Sequence, residues 1–195
     1  MRRFLLLALL IPAATSADEF QVDPAHSQIL FKVRHLGIST VTGEFKDFTA
    51  TFDLDPANLA SLKAEADIDA ASVDTREADR DTHLKSADFF DVANHPRIRF
   101  TSKRAELVSG NKVKLEGDLT IRGVTKPVVL EAEYGGSVKD ARGNDRAAFT
   151  AETTVNRKDF GVSWSRVLDG GGLVVGDDVV IQLELEAVKK TGNTE

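Results

Sequence analysis

Four histidines and many carboxylates are the residues of this sequence that could ligate a metal. The imidazoles belong to His26, His35, His83 and His95, and the chain of 195 residues contains no cysteine. Neither an HExxH nor an H-x-H spacing occurs, and Asp79 with His83 forms a helical i,i+4 pair that suits a surface ion pair equally well. We therefore predict no metal site. The missing cysteines also exclude thiolate ligands, cysteine nucleophiles and disulfides.

Motifs for nucleophilic catalysis and phosphate binding are absent from the sequence. A serine hydrolase of the α/β class needs a G-x-S-x-G elbow, which does not occur here. The glycine run at residues 170–172 lacks the Lys-Ser/Thr pair and the helix of a phosphate-binding loop, so we interpret it as a flexible turn. The sequence thus predicts no catalytic residues and a protein that is not an enzyme.

One stripe of basic and ionisable side chains has the chemistry to receive the polar end of a ligand. Arg76, Arg80 and His83 follow one another at helical spacing. The alternative is a solvated helix face, on which these side chains pair with nearby acids. Those acids are Glu77, Asp79 and Asp81.

The helix that would carry this stripe is predicted over residues 74–90. Asp74 can act as its N-cap, and Glu77 follows three residues later as in a capping box. Asp81 and Lys85 have the i,i+4 spacing of a helical ion pair. We expect this helix to cover one side or one end of the remaining fold.

Strict alternation of apolar and polar residues dominates the rest of the chain and predicts β-strands with one wet face. Val113, Leu115, Leu119 and Ile121, for example, alternate with charged and polar residues. Turn residues at 109–111, 122–123 and 141–144 indicate hairpins. The predicted strands are residues 29–35, 45–54, 62–68, 98–107, 113–121, 128–138, 147–155 and 179–187.

These elements predict an all-β fold, namely an eight-stranded antiparallel lipocalin-like barrel with a short covering helix. Successive hairpins with one apolar face favour an up-and-down sheet that closes to remove its edges, and a β-sandwich is the alternative. Many inward positions are small, including Ala64, Ala66, Ala132 and Ala151. Small inward residues favour a cavity for one ligand, although alanine also fills the tapered ends of dry barrels.

The N-terminal residues predict export. Two arginines, an apolar run at residues 4–11 and small residues up to Ala17 form a secretory signal peptide over residues 1–17, too short to span a membrane. We expect the barrel domain to cover residues 18–190 and residues 191–195 to form a disordered tail. No later segment is apolar enough for a membrane anchor, which predicts a soluble protein outside the cytoplasm.

The formal net charge of −6 bears on the partners. Because the basic residues are interleaved with acids, the chain lacks the clustered cations that nucleic acid requires. An acidic surface equally disfavours anionic headgroups, so a lipid would have to be held inside the barrel.

Several ordered stretches carry a family resemblance. They are residues 23–37 (DPAHSQILFKVRHLG) with 43–45 (GEF), 72–75 (SVDT) with 80–90 (RDTHLKSADFF), 96–100 (PRIRF), 117–128 (GDLTIRGVTKPV), and 159–162 (DFGV) with Trp164. On these residues the chain resembles the YceI-like periplasmic proteins, a lipid- or polyisoprenoid-binding family, over nearly its whole mature length.

The resemblance implies a tunnel that holds an isoprenoid lipid, such as a quinone or a polyprenyl lipid, with no other cofactor. Strand parity and the matching motifs together suggest which side chains surround the chain of the lipid: Ile29, Phe31, Val33, Phe45, Ile68, Phe100, Leu119, Ile121, Leu130 and Phe149. Four aromatic residues would gate or cap the tunnel: Phe89, Phe90, Phe160 and Trp164. Three side chains are candidates for contact with the head group: His35, Arg80 and His83.

Two other functions stay open at this point. One is an enzyme that acts on the bound lipid, for which His35 is the inward candidate for a general acid or base. The other is a stress-protective interaction module with a dry barrel. The sequence leaves open the length and head group of the lipid, the delivery partner, and whether the barrel forms a homodimer.

Overall fold

The structure, a computed structural model, describes residues 17–167 and 171–190. The predicted signal peptide, apart from Ala17, and the predicted tail at residues 191–195 lie outside the described residues. Within the described ranges, no helix has the length and apolar character needed to cross a membrane.

The described residues form β-strands for most of their length, joined by short connections and one α-helix. Four short 3-10 turns lie between strands, at Pro24–His26, Leu59–Ser61, Ala70–Ser72 and Arg157–Phe160. The elements in chain order are β1 (Asp18–Val22), β2 (Gln28–His35), β3 (Ser39–Phe45), β4 (Phe48–Leu54), β5 (Lys63–Asp69), β6 (Val73–Asp74), α1 (Ala78–Lys85), β7 (Arg97–Ser109), β8 (Lys112–Ile121), β9 (Val124–Lys139), β10 (Asp145–Asn156) and β11 (Val175–Lys189).

The sheet closes on itself as a barrel. Its strands follow the order β1-β4-β5-β7-β8-β9-β10-β11, and β11 returns to pair with β1. All these pairs are antiparallel. Beyond the 3-10 turn at Pro24–His26, β2 continues along β11, and β3 and β6 extend the sheet from β2. The pairing of β11 with β1 confirms the predicted eight-stranded antiparallel barrel. Closure removes the free edges that a sandwich would leave.

Alternation along the strands places one apolar face inside the barrel. On β8, Val113, Leu115 and Leu119 are buried, whereas Lys112 and Lys114 are exposed. The buried side chains of all eight barrel strands belong to one hydrophobic cluster. This arrangement explains why the period of two in the sequence predicts the fold so well.

Two tight hairpin turns lie at the same end of the barrel. Arg122 and Gly123 both have positive φ angles, of 50° and 72°, and connect β8 to β9 as the sequence predicts. Leu36 and Gly37, with φ angles of 54° and 72°, belong to the three-residue connection between β2 and β3. Two consecutive positive φ angles match the right-handed twist of the flanking strands.

The helix is shorter than predicted and begins later. Glu77, not Asp74, is its N-cap, and the Glu77 carboxylate accepts hydrogen bonds from the amides of Asp79 and Arg80. Asp74 ends β6 instead, because pairing with β3 holds it extended and Arg76 then reverses the chain with a φ of 64°. The helix ends at Lys85 rather than Phe90, since the amide of Ser86 bonds to the carbonyl of His83.

The Asp81 side chain joins α1 to the barrel. Its Oδ1 accepts hydrogen bonds from the amide of Thr75 at 2.8 Å and from the Thr75 hydroxyl at 2.6 Å. These two bonds replace the predicted ion pair between Asp81 and Lys85. The helix is thereby fixed at the end of the barrel where the two hairpin turns lie.

Candidate functional site

An apolar cavity of about 180 Å³ occupies the barrel interior next to α1. Side chains from β2 to β5 and from β7 to β11 form its wall, and Leu84, Phe89 and Phe90 close it from the helix and the turn that follows. Among the described residues that line it, only Thr153 and Arg157 are not apolar. Such a wall can bind hydrocarbon and offers very little to a polar ligand.

A second apolar cavity of about 70 Å³ lies further along the barrel axis. Phe52, Leu115 and Phe149 are among the residues that line it. Six residues contact both cavities and define the boundary between them, which we call the waist: Ala50, Ala66, Phe100, Leu130, Leu183 and Leu185. Interior space therefore continues along the barrel on both sides of the waist.

Most of the apolar residues predicted for the tunnel lie against the larger cavity. Phe149 lines the smaller cavity, and Trp164 lines neither of the two. The predicted residues on the wall of the larger cavity are Ile29, Phe31, Val33, Phe45, Ile68, Phe89, Phe90, Phe100, Leu119, Ile121, Leu130 and Phe160. Contact of these residues with a ligand stays a prediction.

Three aromatic rings form a cluster beside α1. The His83 ring lies 5.0 Å from the Phe89 ring and 5.1 Å from the Trp164 ring, both in edge-to-face geometry, and the Phe89 and Trp164 rings are 5.3 Å apart. His83 Nε2 is also 2.9 Å from an Asp88 carboxylate oxygen. Trp164 thus covers the outer side of Phe89, which itself lines the cavity.

The three predicted head-group residues lie outside both cavities. His35 is at the tip of the β2–β3 hairpin, half-buried, opposite Ser39 and Val175. The Arg80 guanidinium donates to the hydroxyl and the carbonyl of Thr75, at 2.7 and 2.9 Å. His83 belongs to the aromatic cluster. In these positions Arg80 has a structural partner, and none of the three side chains lines either cavity.

Arg157 is a lining residue that the sequence analysis missed. Its side chain is only 6% exposed, and its guanidinium donates to the carbonyls of Val162, Trp164 and Gly176 at 2.7, 2.7 and 2.8 Å. A further bond at 3.2 Å reaches the Asp177 carboxylate. Burial lowers the pKa of the Arg157 guanidinium, and Asp177 partly opposes this shift. With its N–H groups engaged, Arg157 fixes the β10–β11 connection against the cavity.

The cavity residues on β11 were also left out of the predicted site. Val175, Val179, Ile181, Leu183 and Leu185 line the larger cavity. The alternating pattern that predicted β11 could also have identified its inward residues, and the alternation along β10 could have identified the inward residues of that strand. Counting inward by twos from Phe149 leads to Thr153 and Arg157, so a charged residue at an inward position was visible in the sequence.

A separate cluster of ionisable side chains lies near the opposite end. Potential ligand atoms of Asp23, His26 and Glu186 come within 4.8 Å of one another. The Arg146 guanidinium, however, contacts the carboxylates of both Asp23 and Glu186, and that of Asp140 at 2.9 Å. A cation already pairs with these acids, which identifies the cluster as an ion-pair network of this end of the barrel.

Comparison with known proteins agrees with this architecture. The sequence model of the YceI-like domain matches residues 20–187. A UPF0312 protein of Vibrio cholerae is 36% identical over 184 residues, which cover 92% of each chain. The crystal structure of BcnA from Burkholderia cenocepacia superimposes with a TM-score of 0.75 at 27% identity, covering 85% of this chain and 98% of that one.

A more distant structure shares the fold alone. A domain from Saccharophagus degradans, described as polyisoprenoid-binding and implicated in plant cell wall breakdown, superimposes with a TM-score of 0.66. Its sequence is 15% identical, and the alignment covers 89% of this chain and 99% of that domain.

Proposed function

The chain belongs to the YceI-like family, and from that premise we propose that its barrel binds one long-chain isoprenoid lipid, of the quinone or polyprenyl type. The protein would carry this lipid through the compartment outside the cytoplasm. The observation that carries the proposal is the cavity, whose wall is apolar at every described position except Thr153 and Arg157.

The hydrophobic effect gives such a site enough affinity without polar contacts. Each buried methylene contributes about 0.8 kcal/mol, so ten of them contribute about 8 kcal/mol before the cost of ordering the chain. A free isoprenoid of that size is insoluble in water. Enclosure in the barrel would therefore let it cross an aqueous space.

The ligand class is supported by the fold relative from Saccharophagus degradans, which is described as polyisoprenoid-binding. A flexible chain with repeated methyl branches also suits an interior whose two cavities lie next to each other along the barrel. The proposed location outside the cytoplasm rests on the sequence of residues 1–17, which has the charged, apolar and small-residue regions of a secretory signal peptide.

A carrier accounts for the lining better than an enzyme does. An enzyme acting on the bound lipid needs a general acid or base within hydrogen-bond reach of it. No carboxylate or imidazole belongs to the described wall of the larger cavity, and the Arg157 guanidinium is occupied by carbonyls and Asp177. His35, the residue that the enzyme hypothesis would require, lies at a hairpin tip. These contacts favour binding without chemistry.

Binding of added lipid to purified protein tests the proposal. The variants Phe31→Asp and Ile121→Asp each place a carboxylate in the apolar wall of the cavity, where a charge is unfavourable beside hydrocarbon. We expect both to abolish the uptake of a long-chain quinone measured by native mass spectrometry. The matched control is Leu107→Asp, because Leu107 is 47% exposed near the C-terminal end of β7 and lines neither cavity.

The control variant should bind like the wild type, and circular dichroism should report folded barrels for all three variants. Equal binding by wild type and both cavity variants would place the lipid elsewhere. A wild-type protein that takes up neither quinones nor polyprenols would instead favour the dry-barrel interaction module.

A further inference from the structure

The barrel wall is incompletely paired between β9 and β10. These strands pair from Lys139 and Asp145 as far as Glu131 and Glu152. Beyond that point, residues 124–130 of β9 pair with β8 only, and residues 153–156 of β10 pair with β11 only, as far as the described ranges show. The two strands therefore separate at the end of the barrel that holds the larger cavity.

A groove of about 720 Å³ occupies this separation. Side chains from both strands line it, and Phe160 of the 3-10 turn at Arg157–Phe160 contributes to it as well. Four residues line both this groove and the larger interior cavity: Val128, Thr153, Val155 and Phe160. The groove and the cavity thus share a wall, and we call the separation between β9 and β10 the window.

Backbone polar groups face this window. In a two-residue hairpin the residues that flank the turn, here Ile121 and Val124, form a hydrogen-bonded pair, and alternate residues then face the partner strand. Lys126 and Val128 accordingly bond to β8, whereas Thr125, Pro127 and Val129 direct their backbone groups towards β10. Pro127 lacks an N–H group, which is typical of a strand edge without a partner. The window edge thus offers carbonyls and amides to a ligand.

The Thr153 hydroxyl lies where the apolar cavity meets the polar groove. It is half-buried, and no hydrogen bond engages its side chain among the described residues. The other polar group on the cavity wall, the Arg157 guanidinium, already donates to three carbonyls and Asp177. Thr153 is therefore the one side chain of the described cavity wall with hydrogen-bonding capacity left for a lipid.

The charges around the groove balance one another. Lys103 and Lys126 line it together with Glu116 and Asp159. Lys103 pairs with Asp118 at 2.7 Å, and Glu116 lies 3.8 Å from Arg104. Phosphate recognition draws on surplus cations or bidentate arginines, and the described lining contains neither. The groove suits a neutral head group that carries hydrogen-bond-accepting oxygens.

We propose that the head group of the lipid emerges through the window between β9 and β10 and accepts a hydrogen bond from Thr153, and that this head group is a quinone. The inference rests on the proposed function and specifies it further. It assigns the polar end of the ligand to the flank of the barrel, whereas the aromatic cluster of His83, Phe89 and Trp164 covers the hydrocarbon at the end of the cavity.

The first test compares two threonine variants with two ligands. Thr153→Val removes the hydroxyl at the window while keeping the shape. Thr150→Val is the matched control, because Thr150 is exposed on β10 and lines neither the larger cavity nor the groove. The ligands are a long-chain benzoquinone and squalene, an isoprenoid hydrocarbon without a head group. We expect Thr153→Val to weaken quinone binding about fivefold, the worth of one hydrogen bond, and to leave squalene binding unchanged.

The second test locates the head group directly. A benzoquinone with an azide on its ring is bound to the wild-type protein and photolysed, and the labelled residues are identified by peptide mass spectrometry. We expect labels at residues 127–129 and 153–156.

The outcomes separate three claims: the window site, the quinone head group and the proposed function. Labels confined to Phe89 and Trp164, or equal loss of both ligands in Thr153→Val, would overturn the window site and leave the carrier role standing. Tighter binding of a polyprenyl phosphate than of the quinone would overturn the choice of head group. A wild type that binds neither quinone nor squalene would contradict the proposed function itself.

Discussion

Ala66 on β5 lies directly opposite Phe100 on β7, and both side chains contact the larger and the smaller cavity. On its other side Ala66 is paired with Ala50 of β4, which also belongs to the waist. The two neighbouring alanines leave interior space that larger side chains would fill. Apolar cavities of about 150 Å³ hold a ligand the size of benzene, so a long isoprenoid chain has to pass the waist into the second cavity.

Ala66→Leu should therefore shorten the longest chain that the barrel accommodates. We expect the affinity of the wild type for prenylquinones to rise with each added isoprene unit and that of the variant to level off at a shorter chain. Competition between quinones of different length, followed by native mass spectrometry, measures this. Ala60→Leu is the matched control, because Ala60 is exposed in the 3-10 turn Leu59–Ser61. Identical length profiles for Ala66→Leu and wild type would contradict a continuous path.

Gly43 holds space for an aromatic ring of the cavity wall. It lies opposite Phe31 on β2 and β3, and a Cβ atom at Gly43 would overlap the Phe31 ring. Gly43→Ala should push this ring into the cavity, lower the stability by about 1–3 kcal/mol and reduce lipid uptake. Gly135→Ala is the control, since its Cβ would meet Ala148 at an ordinary 3.4 Å. Urea denaturation together with lipid titration distinguishes the two, and equal losses in both variants would refute this role.

Arg157 should be a large single contributor to the stability of the capped end. In Arg157→Met three carbonyls lose a buried donor and Asp177 loses its buried partner, for which we expect a loss of about 3–5 kcal/mol. Lys158→Met is the matched control. Lys158 also contacts Asp177, at 2.8 Å, but is exposed, so its loss should cost less than about 1 kcal/mol. Urea denaturation measures both, and faster amide exchange at residues 162–167 is the expected local effect. A difference of less than about 1 kcal/mol between the variants would show that the bonds of Arg157 are dispensable.

The sequence could predict the barrel because its evidence is local and repeated. Alternation along β8 specifies both the strand and its buried face, and the positive φ angles at Arg122 and Gly123 follow from a two-residue connection. The late start of α1 could not be predicted from the capping pattern. Asp74 has the chemistry of an N-cap, but its pairing in β6 depends on β3, which lies about thirty residues earlier in the chain.

The candidate site was predictable on its apolar side and only partly on its polar side. Parity along the strands identified Phe31 and Ile121 as wall residues, because a period of two fixes the facing of every residue once one is known. His35 keeps the same parity, yet a hairpin turn follows it and carries it beyond the cavity. The window between β9 and β10 left one local sign, Pro127, which cannot donate to a partner strand. Its position could not be predicted, since a missing pairing is a relation between two segments.

Acidification should weaken the ion-pair network at the end of the barrel away from α1. The Arg146 guanidinium, followed by Asn144, holds the pKa of Asp140 well below its usual value, and His26 followed by Arg146 lowers the pKa of Asp23. A carboxyl whose pKa is lower in the folded state stabilises the fold above its unfolded pKa and loses this effect as the pH falls through the folded pKa. The stability of the wild type should thus decline below about pH 4.

Arg146→Met should be less stable than the wild type at neutral pH, and this difference should shrink as the carboxyls become protonated. Denaturant titrations across the acidic range measure it. Arg142→Met is the control, because Arg142 lies in the β9–β10 loop next to the strand that carries Arg146, and its side chain has no ion pair within the described residues. A difference between Arg146→Met and wild type that stays constant down to about pH 2 would contradict the assignment.

The central claim is that the barrel holds an isoprenoid, and the lipid content of the native protein tests it most directly. The protein is purified without detergent from its own host, native mass spectra are recorded, and an organic-solvent extract is analysed by mass spectrometry. The account predicts one isoprenoid per chain, with a quinone as its head group. A protein that is empty as isolated and also refuses added quinones and polyprenols would contradict it.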